Sequence, residues 1–169
     1  AAFGFDADNP DSVAVAFLPF EPDREEDAAI SFLLEDYVSA HLSRKVRHPV
    51  HMGSELQPAL PDGVEACVGD TDCLGLLGGR FNSSLVVRSS VLRSGAELQL
   101  DTEWFTTGNG VRVGRERVNF EPGDEEKMID ALVKGFEMFF DTSLRVSSAN
   151  LAGEGGIVTE SDDQEDRMA

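Results

Sequence analysis

Both cysteines of the chain lie in one stretch, which reads Ala66-Cys67-Val68-Gly69-Asp70-Thr71-Asp72-Cys73-Leu74-Gly75-Leu76-Leu77-Gly78-Gly79-Arg80-Phe81. This stretch predicts a short helix over residues 70–80, because Asp70 or Thr71 can cap its first turn. Gly78-Gly79 is expected to end the helix. The apolar run Leu85-Val86-Val87 follows and predicts a buried strand. A short helix that leads into a buried strand is typical of domains that combine helices with a sheet.

Patterns on either side of this stretch predict the other elements. Before it lie an apolar strand over residues 13–20, a long helix over residues 24–43 and a short strand over residues 46–52. After it come three strands and a second long helix: residues 84–93, 97–106 and 111–120, then a helix that begins at Pro122-Gly123-Asp124 and ends near Leu144. The order βαβαβββα predicts an α/β (α+β) fold, with a mixed sheet of about five strands and two long helices mainly on one face.

The two ends of the chain differ from this core in composition. Residues 1–11 are rich in turn formers and predict a loose leader, and residues 12–144 form the predicted domain. Residues 145–169 are rich in Ser, Gly and acids, which predicts a disordered acidic tail. The chain starts Ala1-Ala2-Phe3, without Met or a signal peptide, which favours a processed or trimmed fragment and leaves a removed signal or lipid anchor open.

The charge balance excludes some partners. The 14 basic and 32 acidic residues give a formal net charge of -18. A nucleic-acid interface needs clustered Lys and Arg, and docking on anionic lipid needs them too, so we expect neither. A basic protein partner or bound cations fit this charge, and so does a simple gain in solubility. No apolar run in the sequence reaches the length of a membrane span.

Candidate catalytic and metal-binding patterns each have a simpler explanation. Gly69-Asp70-Thr71-Asp72 offers oxygens to calcium but lacks the periodicity of an EF-hand loop, and a helix cap explains it. His48 and His51 would lie on opposite faces of a strand, which disfavours a shared metal. Asp101 and Glu103 share one side of a strand, where surface solvation explains them better than glycosidase chemistry. The sequence also has no G-x-S-x-G or phosphate-binding glycine motif. We therefore predict no catalytic residue, no metal and no cofactor.

Aromatic residues provide the candidate binding surface. Trp104 and Phe105 are adjacent in the second strand of the meander, so one of them faces away from the core if the strand is regular. An exposed aromatic side chain can anchor a protein partner, and Trp104 with Phe105 is the predicted partner-binding pair. Phe136, Phe139 and Phe140 would form another patch if they were exposed, but core packing is the favoured interpretation.

Several short motifs, in their order along the chain, resemble a known family. They are Leu18-Pro19-Phe20, Ala66-Cys67 with Asp72-Cys73-Leu74, Leu85-Val86-Val87-Arg88-Ser89-Ser90-Val91, and Thr107-Gly108. Over residues 12–144 the chain resembles the amino-terminal-domain-like family of TolB, a group shared by the curli secretion protein CsgG and the penicillin-binding-protein activator LpoB. It looks most like two-cysteine versions in predicted envelope proteins of myxobacteria and other deltaproteobacteria. Asn82-Ser83-Ser84 stands where typical members carry an Ala-Asp pair.

This resemblance implies a function as well as a fold. It implies a non-enzymatic domain in the periplasm, or on the periplasmic face of the outer membrane. Such a domain docks protein partners in an envelope assembly for secretion, motility or cell-wall work, and the family has no catalytic residues to carry over. Two hypotheses from other classes stay open. One is a hydrolytic or cell-wall-modifying enzyme that uses scattered Asp, Glu and His, and the other is a structural subunit of a ring-forming complex.

The resemblance also bears on Cys67 and Cys73. From their spacing alone the two cysteines are a disulfide, a redox pair or metal ligands. The spacer between them is longer than in C-x-x-C redox sites, and a zinc site needs about four ligands. For a two-cysteine chain that resembles envelope proteins, a structural disulfide is implied. It would pin the start of the short helix and indicate an oxidising compartment.

Overall fold

Six strands form a single mixed sheet in the computed structural model, which describes residues 13–56, 58, 67 and 69–140. The strands are β1 (Ala14–Phe17), β2 (Glu21–Pro22), β3 (Val50–His51), β4 (Ser83–Ser94), β5 (Glu97–Thr106) and β6 (Arg112–Phe120). The predicted leader at residues 1–11 and the predicted tail at residues 145–169 lie outside the described residues. The predicted end of the last helix near Leu144 lies outside them too.

The helices of the described residues alternate with these strands. They are α1 (Ala28–Leu42), α2 (Gly53–Leu56), α3 (Thr71–Phe81) and α4 (Glu126–Gly135). A 3₁₀ turn at Glu25–Asp27 leads into α1, and a π-helical turn at Phe136–Phe140 continues α4. The predicted order βαβαβββα is confirmed, with β2 and α2 as short additions. No helix in the described part of the chain is long and apolar enough to cross a membrane.

The strand order in the sheet is β3-β1-β4-β5-β6, and β2 lies beside β4 farther along than β1. β1 pairs in parallel with both β3 and β4, since helices carry the chain back between these strands. β4, β5 and β6 form an antiparallel meander, so the predicted mixed sheet is confirmed. All four residues of β1 are buried, as expected for a central strand that is covered on both faces.

The main core lies between the sheet and helices α1 and α4. Trp104 is part of this core, and its ring meets those of Phe17, Phe136 and Phe139 at centroid distances of 6.0, 5.7 and 5.4 Å. Phe140 is buried in the same cluster. The interpretation of Phe136, Phe139 and Phe140 as core residues is therefore confirmed.

Helix α3 packs on the opposite face of the sheet, where it covers β1 and the start of β4. Asp70 caps it, because its Oδ1 accepts hydrogen bonds from the N–H groups of Asp72 and Cys73 at 3.0 and 3.3 Å. The predicted end at Gly78-Gly79 is wrong, since the helix continues to Phe81 and is capped by Asn82, whose φ of 53° is left-handed. The residues buried under α3 form a second, smaller cluster: Ala16, Leu18, Leu56, Cys67, Leu74, Leu77 and Val86.

Four other predicted boundaries also need correction. The strand predicted over residues 13–20 spans only Ala14–Phe17. The long helix predicted from residue 24 begins at Ala28, because a 3₁₀ turn precedes it. The strand predicted over residues 46–52 shrinks to β3, since Pro49 has no N–H for a ladder and contributes only its carbonyl, to Val15 at 3.0 Å. Asp124 does not cap the last helix. Glu125 holds that position, and its carboxylate accepts the N–H of Gly123.

Candidate functional site

Helix α3 covers only part of its face of the sheet, over β1 and the start of β4. Among the described residues, no helix lies over the other half of that face, which β5 and β6 form. Along β5 the side chains alternate, with Leu98, Leu100, Thr102, Trp104 and Thr106 buried, and Gln99, Asp101, Glu103 and Phe105 half-buried on the other face. On the neighbouring strand β6, Arg115, Arg117 and Asn119 are exposed. An antiparallel sheet with one solvated face shows this pattern. The half-buried side chains of β5 and the exposed side chains of β6 therefore form a polar surface on this side of the sheet.

A β-bulge determines which side chains of β6 reach this face. Trp104 lies opposite Gly114, but the next residue, Phe105, lies opposite Arg112, so the register skips Val113. A bulge inserts one extra residue and shifts the alternation of side chains by one position. Arg112 therefore falls on the same face as residues 115 and 117, although regular alternation from position 115 would place it on the other. The sequence of β6 alternates poorly for this reason.

Arginine–carboxylate pairs cover the face. Arg88 Nε lies 2.9 Å from Glu21 Oε2, and Arg112 Nη1 lies 2.9 Å from Glu103 Oε2. Each pair joins residues from two different strands. These pairs hold the guanidinium groups at fixed positions over β4, β5 and β6, because a guanidinium and a carboxylate match in geometry.

Asp101 holds the remaining two arginines. Its carboxylate accepts from Arg115 Nε at 3.0 Å and Nη2 at 2.7 Å, and Arg117 Nε lies 3.4 Å away. The side chain of Asp101 is only 13% exposed, whereas that of Arg117 is 54% exposed. One sheltered carboxylate thus carries two more exposed guanidinium groups, and the outer layer of the face is positive.

We call this surface the arginine face: Arg88, Asp101, Glu103, Phe105, Arg112, Arg115 and Arg117. Among the described residues, ion pairs join its four arginines to Asp101, Glu103 and Glu21. The whole chain carries a charge of -18, and the arginine face gathers four of its 14 basic residues on one surface. Guanidinium groups bind carboxylates through two parallel hydrogen bonds, which makes acidic groups of a partner the chemistry that this surface fits.

The structure corrects the predicted aromatic pair. Trp104 is fully buried, and its Nε1 donates to Thr102 Oγ1 at 3.3 Å inside the core. Phe105 is half-buried and belongs to the arginine face. The buried ring of Trp104 cannot contact a partner, so only Phe105 of the pair stays a candidate. Trp104 lies an even number of positions from Leu98 and Leu100, so all three side chains point to the same face of a regular strand. This alternation in the sequence assigns Trp104 to the core.

Cys67 and Cys73 are joined in a disulfide. Cys67 is fully buried beneath α3, and Cys73 lies in the first turn of that helix. The bond therefore ties the start of α3 to the chain that precedes it. It lies on the β1 side of the sheet, whereas the arginine face is built from β4, β5 and β6.

The other candidate residues have structural partners. His48 stacks on Phe140 with a centroid distance of 3.8 Å, and His51 Nδ1 lies 2.9 Å from Glu55 Oε2. The two histidines thus face different partners. From the sequence, surface solvation was the favoured explanation for Asp101 and Glu103. In the structure, both carboxylates pair with arginines of the arginine face. Their same-side placement on β5 builds the arginine face.

Sequence reasoning missed Glu116, which faces the core side of β6. It lies opposite Thr102, and its Oε1 has no hydrogen-bond partner among the described residues. Burial raises the pKa of its carboxyl to about 7, and the charge of Lys134 opposes this shift. In the sequence, Glu116 shares the parity of Val118 and Phe120, and this signal could have placed it on the core side, where a carboxylate loses water.

Stability should fall with rising pH because of Glu116. The pKa of its carboxyl is raised in the folded state to about 7, so the folded chain holds a proton that the unfolded chain, with a pKa of about 4.3, has released. We expect a loss of about 1–2 kcal/mol in the free energy of unfolding between about pH 4.3 and 7, after discounting for partial exposure. Urea unfolding followed by Trp104 fluorescence measures this loss.

Glu116→Gln is expected to remove that pH dependence and to stabilise the chain above pH 7. Glu97→Gln, which removes an exposed carboxyl from the start of β5, is the matched control and should keep the wild-type slope. An unchanged slope in Glu116→Gln would show that another group takes up the proton.

A second surface feature lies on α1. Phe32 and Leu33 are 65% and 64% exposed on its outer side. Beside them, an apolar groove of about 350 Å³ separates α1 from the loop that precedes α4. The groove is lined mainly by Ile30, Leu33, Leu34, Tyr37, Leu98 and Pro122. Exposed apolar side chains next to a groove are a feature of interaction surfaces.

Solved structures share this fold. The lipoprotein GNA1162 from Neisseria meningitidis matches with a TM-score of 0.51 and 12% sequence identity, over 74% of this chain and 96% of that one. No protein-family model and no curated protein matches the sequence. At this level of identity, the likeness shows a common fold.

Two other solved structures are similar over most of their length. The LpoB C-terminal domain from Salmonella enterica matches over 65% of this chain and 84% of that one, with 10% identity and a TM-score of 0.46. A PelC dodecamer from Paraburkholderia phytofirmans matches over 75% and 86%, with 14% identity and a TM-score of 0.46. LpoB is one of the proteins named in the sequence resemblance, and the likeness to two-cysteine myxobacterial versions stays a prediction.

Proposed function

We propose that this chain is a non-enzymatic docking domain of the bacterial cell envelope, which binds a protein partner through its arginine face. One observation carries the proposal: a strongly acidic chain holds four arginines in fixed pairs on the half of a sheet face that no described helix covers. Phe105 adds an apolar contact to that face. A polar surface with an aromatic anchor is the usual composition of a protein interface.

The envelope location is supported by the disulfide and by the fold. Disulfides persist in oxidising compartments such as the periplasm, and Cys67 and Cys73 form one. The fold is shared with a lipoprotein. We propose the periplasm or the periplasmic face of the outer membrane as the location, with any membrane attachment through a lipid anchor. The envelope process, whether secretion, motility or cell-wall assembly, is a further part of the proposal.

The placement of the perturbed carboxyls supports a binding role over catalysis. Burial raises the pKa of the Glu35 carboxyl, although a hydrogen bond from the N–H of Phe20 at 2.8 Å opposes the shift. Burial also raises the pKa of Glu116. Glu35 lies on α1, and Glu116 lies on β6. Acid–base catalysis requires convergent groups within reach of one substrate. Glu35 accepts a hydrogen bond from Phe20, whereas Glu116 lies opposite Thr102 and near Lys134, so the two carboxyls have no described neighbour in common.

Charge reversal on the arginine face should abolish docking. We expect Arg115→Glu/Arg117→Glu to reduce partner capture from an envelope extract about tenfold or more, because carboxylates would then face carboxylates. Captured proteins are compared by isotope-labelled mass spectrometry between wild-type and variant chains. The partner is the protein whose recovery falls with this variant.

Arg24→Glu/Lys127→Glu is the matched control. It changes the net charge by the same amount but acts on exposed residues outside the arginine face. We expect it to capture the partner as well as the wild-type chain does. Equal losses in the two double variants would reduce the effect to net charge and contradict docking at the arginine face.

A further inference from the structure

One edge of the sheet is a long strand. β6 is the last strand in the sheet order, and no strand lies beyond it among the described residues. The opposite edge is β3, which has only two residues, whereas β6 has nine. An edge strand presents a row of backbone N–H and C=O groups with which another strand can pair. Its length makes β6 the edge at which a partner strand would find the most backbone groups.

The direction of the backbone groups follows from the hydrogen bonds at the end of β5. The N–H of Thr106 bonds to the carbonyl of Val111 at 2.9 Å, towards β6. The N–H of Thr107 bonds to the carbonyl of Ser84 at 3.1 Å, towards β4. Backbone groups alternate in direction along a strand. The even-numbered residues of β5 therefore turn their backbone groups towards β6.

This alternation also fixes the outward groups of β6. Glu116 and Val118 lie opposite even-numbered residues of β5, so their backbone groups point inward. The backbone groups of the residues between and beside them, Arg115, Arg117 and Asn119, then point away from the sheet. These three side chains are also exposed on the side of the arginine face. An added strand would thus pair with the residues that present the positive charge.

Charge selects the kind of strand that fits. A strand beside β6 would place alternate side chains next to Arg115 and Arg117, and opposite charges on neighbouring strands attract. The residue between them would lie beside Glu116, where another carboxylate would be repelled, and the next residue on that side would lie beside Val118, which packs against the core. Acidic side chains on one face and apolar side chains on the other satisfy both neighbours. The chain as a whole carries an excess of acidic groups, so surfaces away from the arginine face attract an acidic strand less strongly.

We propose that β6 binds an extended segment of a partner protein in which acidic and apolar residues alternate. The segment adds a strand to the sheet, with its carboxylates over Arg115 and Arg117. This inference rests on the proposed docking function and names the partner's chemistry. Backbone pairing supplies the affinity and the alternating side chains supply the specificity, as in other complexes formed by strand addition.

Two peptides of equal composition test the proposal on the full chain. The peptide Glu-Val-Glu-Val-Glu-Val alternates, whereas Glu-Glu-Glu-Val-Val-Val does not. We expect the alternating peptide to bind about tenfold tighter in calorimetry, because only it can place every carboxylate on one face. In amide hydrogen exchange, it should protect the N–H groups of Arg117 and Asn119. Equal affinities, or exchange rates at these amides that do not change, would overturn the proposal.

A proline at the edge separates backbone pairing from charge. Asn119→Pro removes an outward N–H and keeps the arginines, and proline is tolerated on an edge strand at such a position. Asn119→Ala loses the same side-chain hydrogen bond from Gln99 Nε2 but keeps the N–H. We expect only the proline variant to weaken binding of the alternating peptide, by about tenfold. Equal binding by both variants would overturn strand addition. Amide exchange in the wild-type chain decides the matter if the proline variant does not fold.

The failure of this inference differs from the failure of the proposed function. If Arg115→Glu/Arg117→Glu weakens both peptides equally, the arginine face binds acidic groups but strand addition is wrong. If the double variant weakens neither peptide and still captures the envelope partner, the proposed function is wrong as well.

Two other occupants of the edge would also overturn the proposal. The first is the chain's own acidic end. Protection of the β6 amides from exchange would then already be present in the free chain. It would be lost when the acidic residues of that end are replaced by amides: Glu160, Asp162, Asp163, Glu165 and Asp166. Protection that rises with protein concentration in the absence of peptide would assign the edge to a second copy.

Discussion

Gly114→Ala is expected to destabilise the chain by about 3 kcal/mol, because overpacking of a rigid core costs this much. A Cβ atom at position 114 would fall within the ring of Phe139. The ring cannot move aside easily, since Phe139 also packs against Trp104 at a centroid distance of 5.4 Å. Urea unfolding measures the loss directly, and Trp104, the sole tryptophan, reports it from the centre of the core.

Gly79→Ala provides the matched control for this prediction. Gly79 lies in α3, and a Cβ atom there would meet nothing within 4 Å. We expect the control to stabilise the chain by up to about 1 kcal/mol, because alanine favours a helix over glycine. If Gly114→Ala unfolds within about 0.5 kcal/mol of the wild-type chain, the range of ordinary surface substitutions, the described packing of the π-helical turn on β6 is wrong.

Reduction of the disulfide is expected to lower the free energy of unfolding by about 2–3 kcal/mol, as loop closure in the unfolded chain predicts. The two cysteines are 6 residues apart, so the closed loop is short and the gain is near the lower end for disulfides. Unfolding curves with and without reductant measure the difference. Reduction should act mainly on α3, which the bond joins to the preceding chain.

Cys67→Ser/Cys73→Ser is the control for the reductant. Its unfolding midpoint should be the same with and without reductant, and peptide binding at β6 should be retained because α3 lies away from that edge. A wild-type chain with two titratable thiols under non-reducing denaturation would contradict the disulfide and, with it, the support for an oxidising compartment.

Local sequence signals predicted the elements well because each signal acts within a few residues. Asp70 as a cap, the alternation of Leu98 and Leu100, and the apolar stripe of the last helix all depend on near neighbours. Helical crossovers predicted parallel strands and the meander predicted antiparallel strands, whereas the place of β1 between β3 and β4 was not predicted. The mixed sheet and its two-helix layer could therefore be inferred from the order of the elements.

The candidate site could not be inferred in the same way, since it depends on register. The bulge at Val113 arises from the pairing of β6 with β5, and it alone brings Arg112 onto the face of Arg115. The pair of Glu21 with Arg88 joins residues 67 positions apart. No periodic pattern in the sequence specifies either feature. The orientation of Trp104 was different, because its parity with the leucines of β5 was already present in the sequence.

Site-specific photo-crosslinking in cells tests the docking surface most directly. A benzoylphenylalanine at position 105 lies on the arginine face, and one at position 32 lies on the exposed side of α1. The arginine-face proposal predicts a protein adduct from position 105 that disappears in Arg115→Glu/Arg117→Glu, with no adduct from position 32. An adduct from position 32 alone would place the partner on α1 and contradict the account.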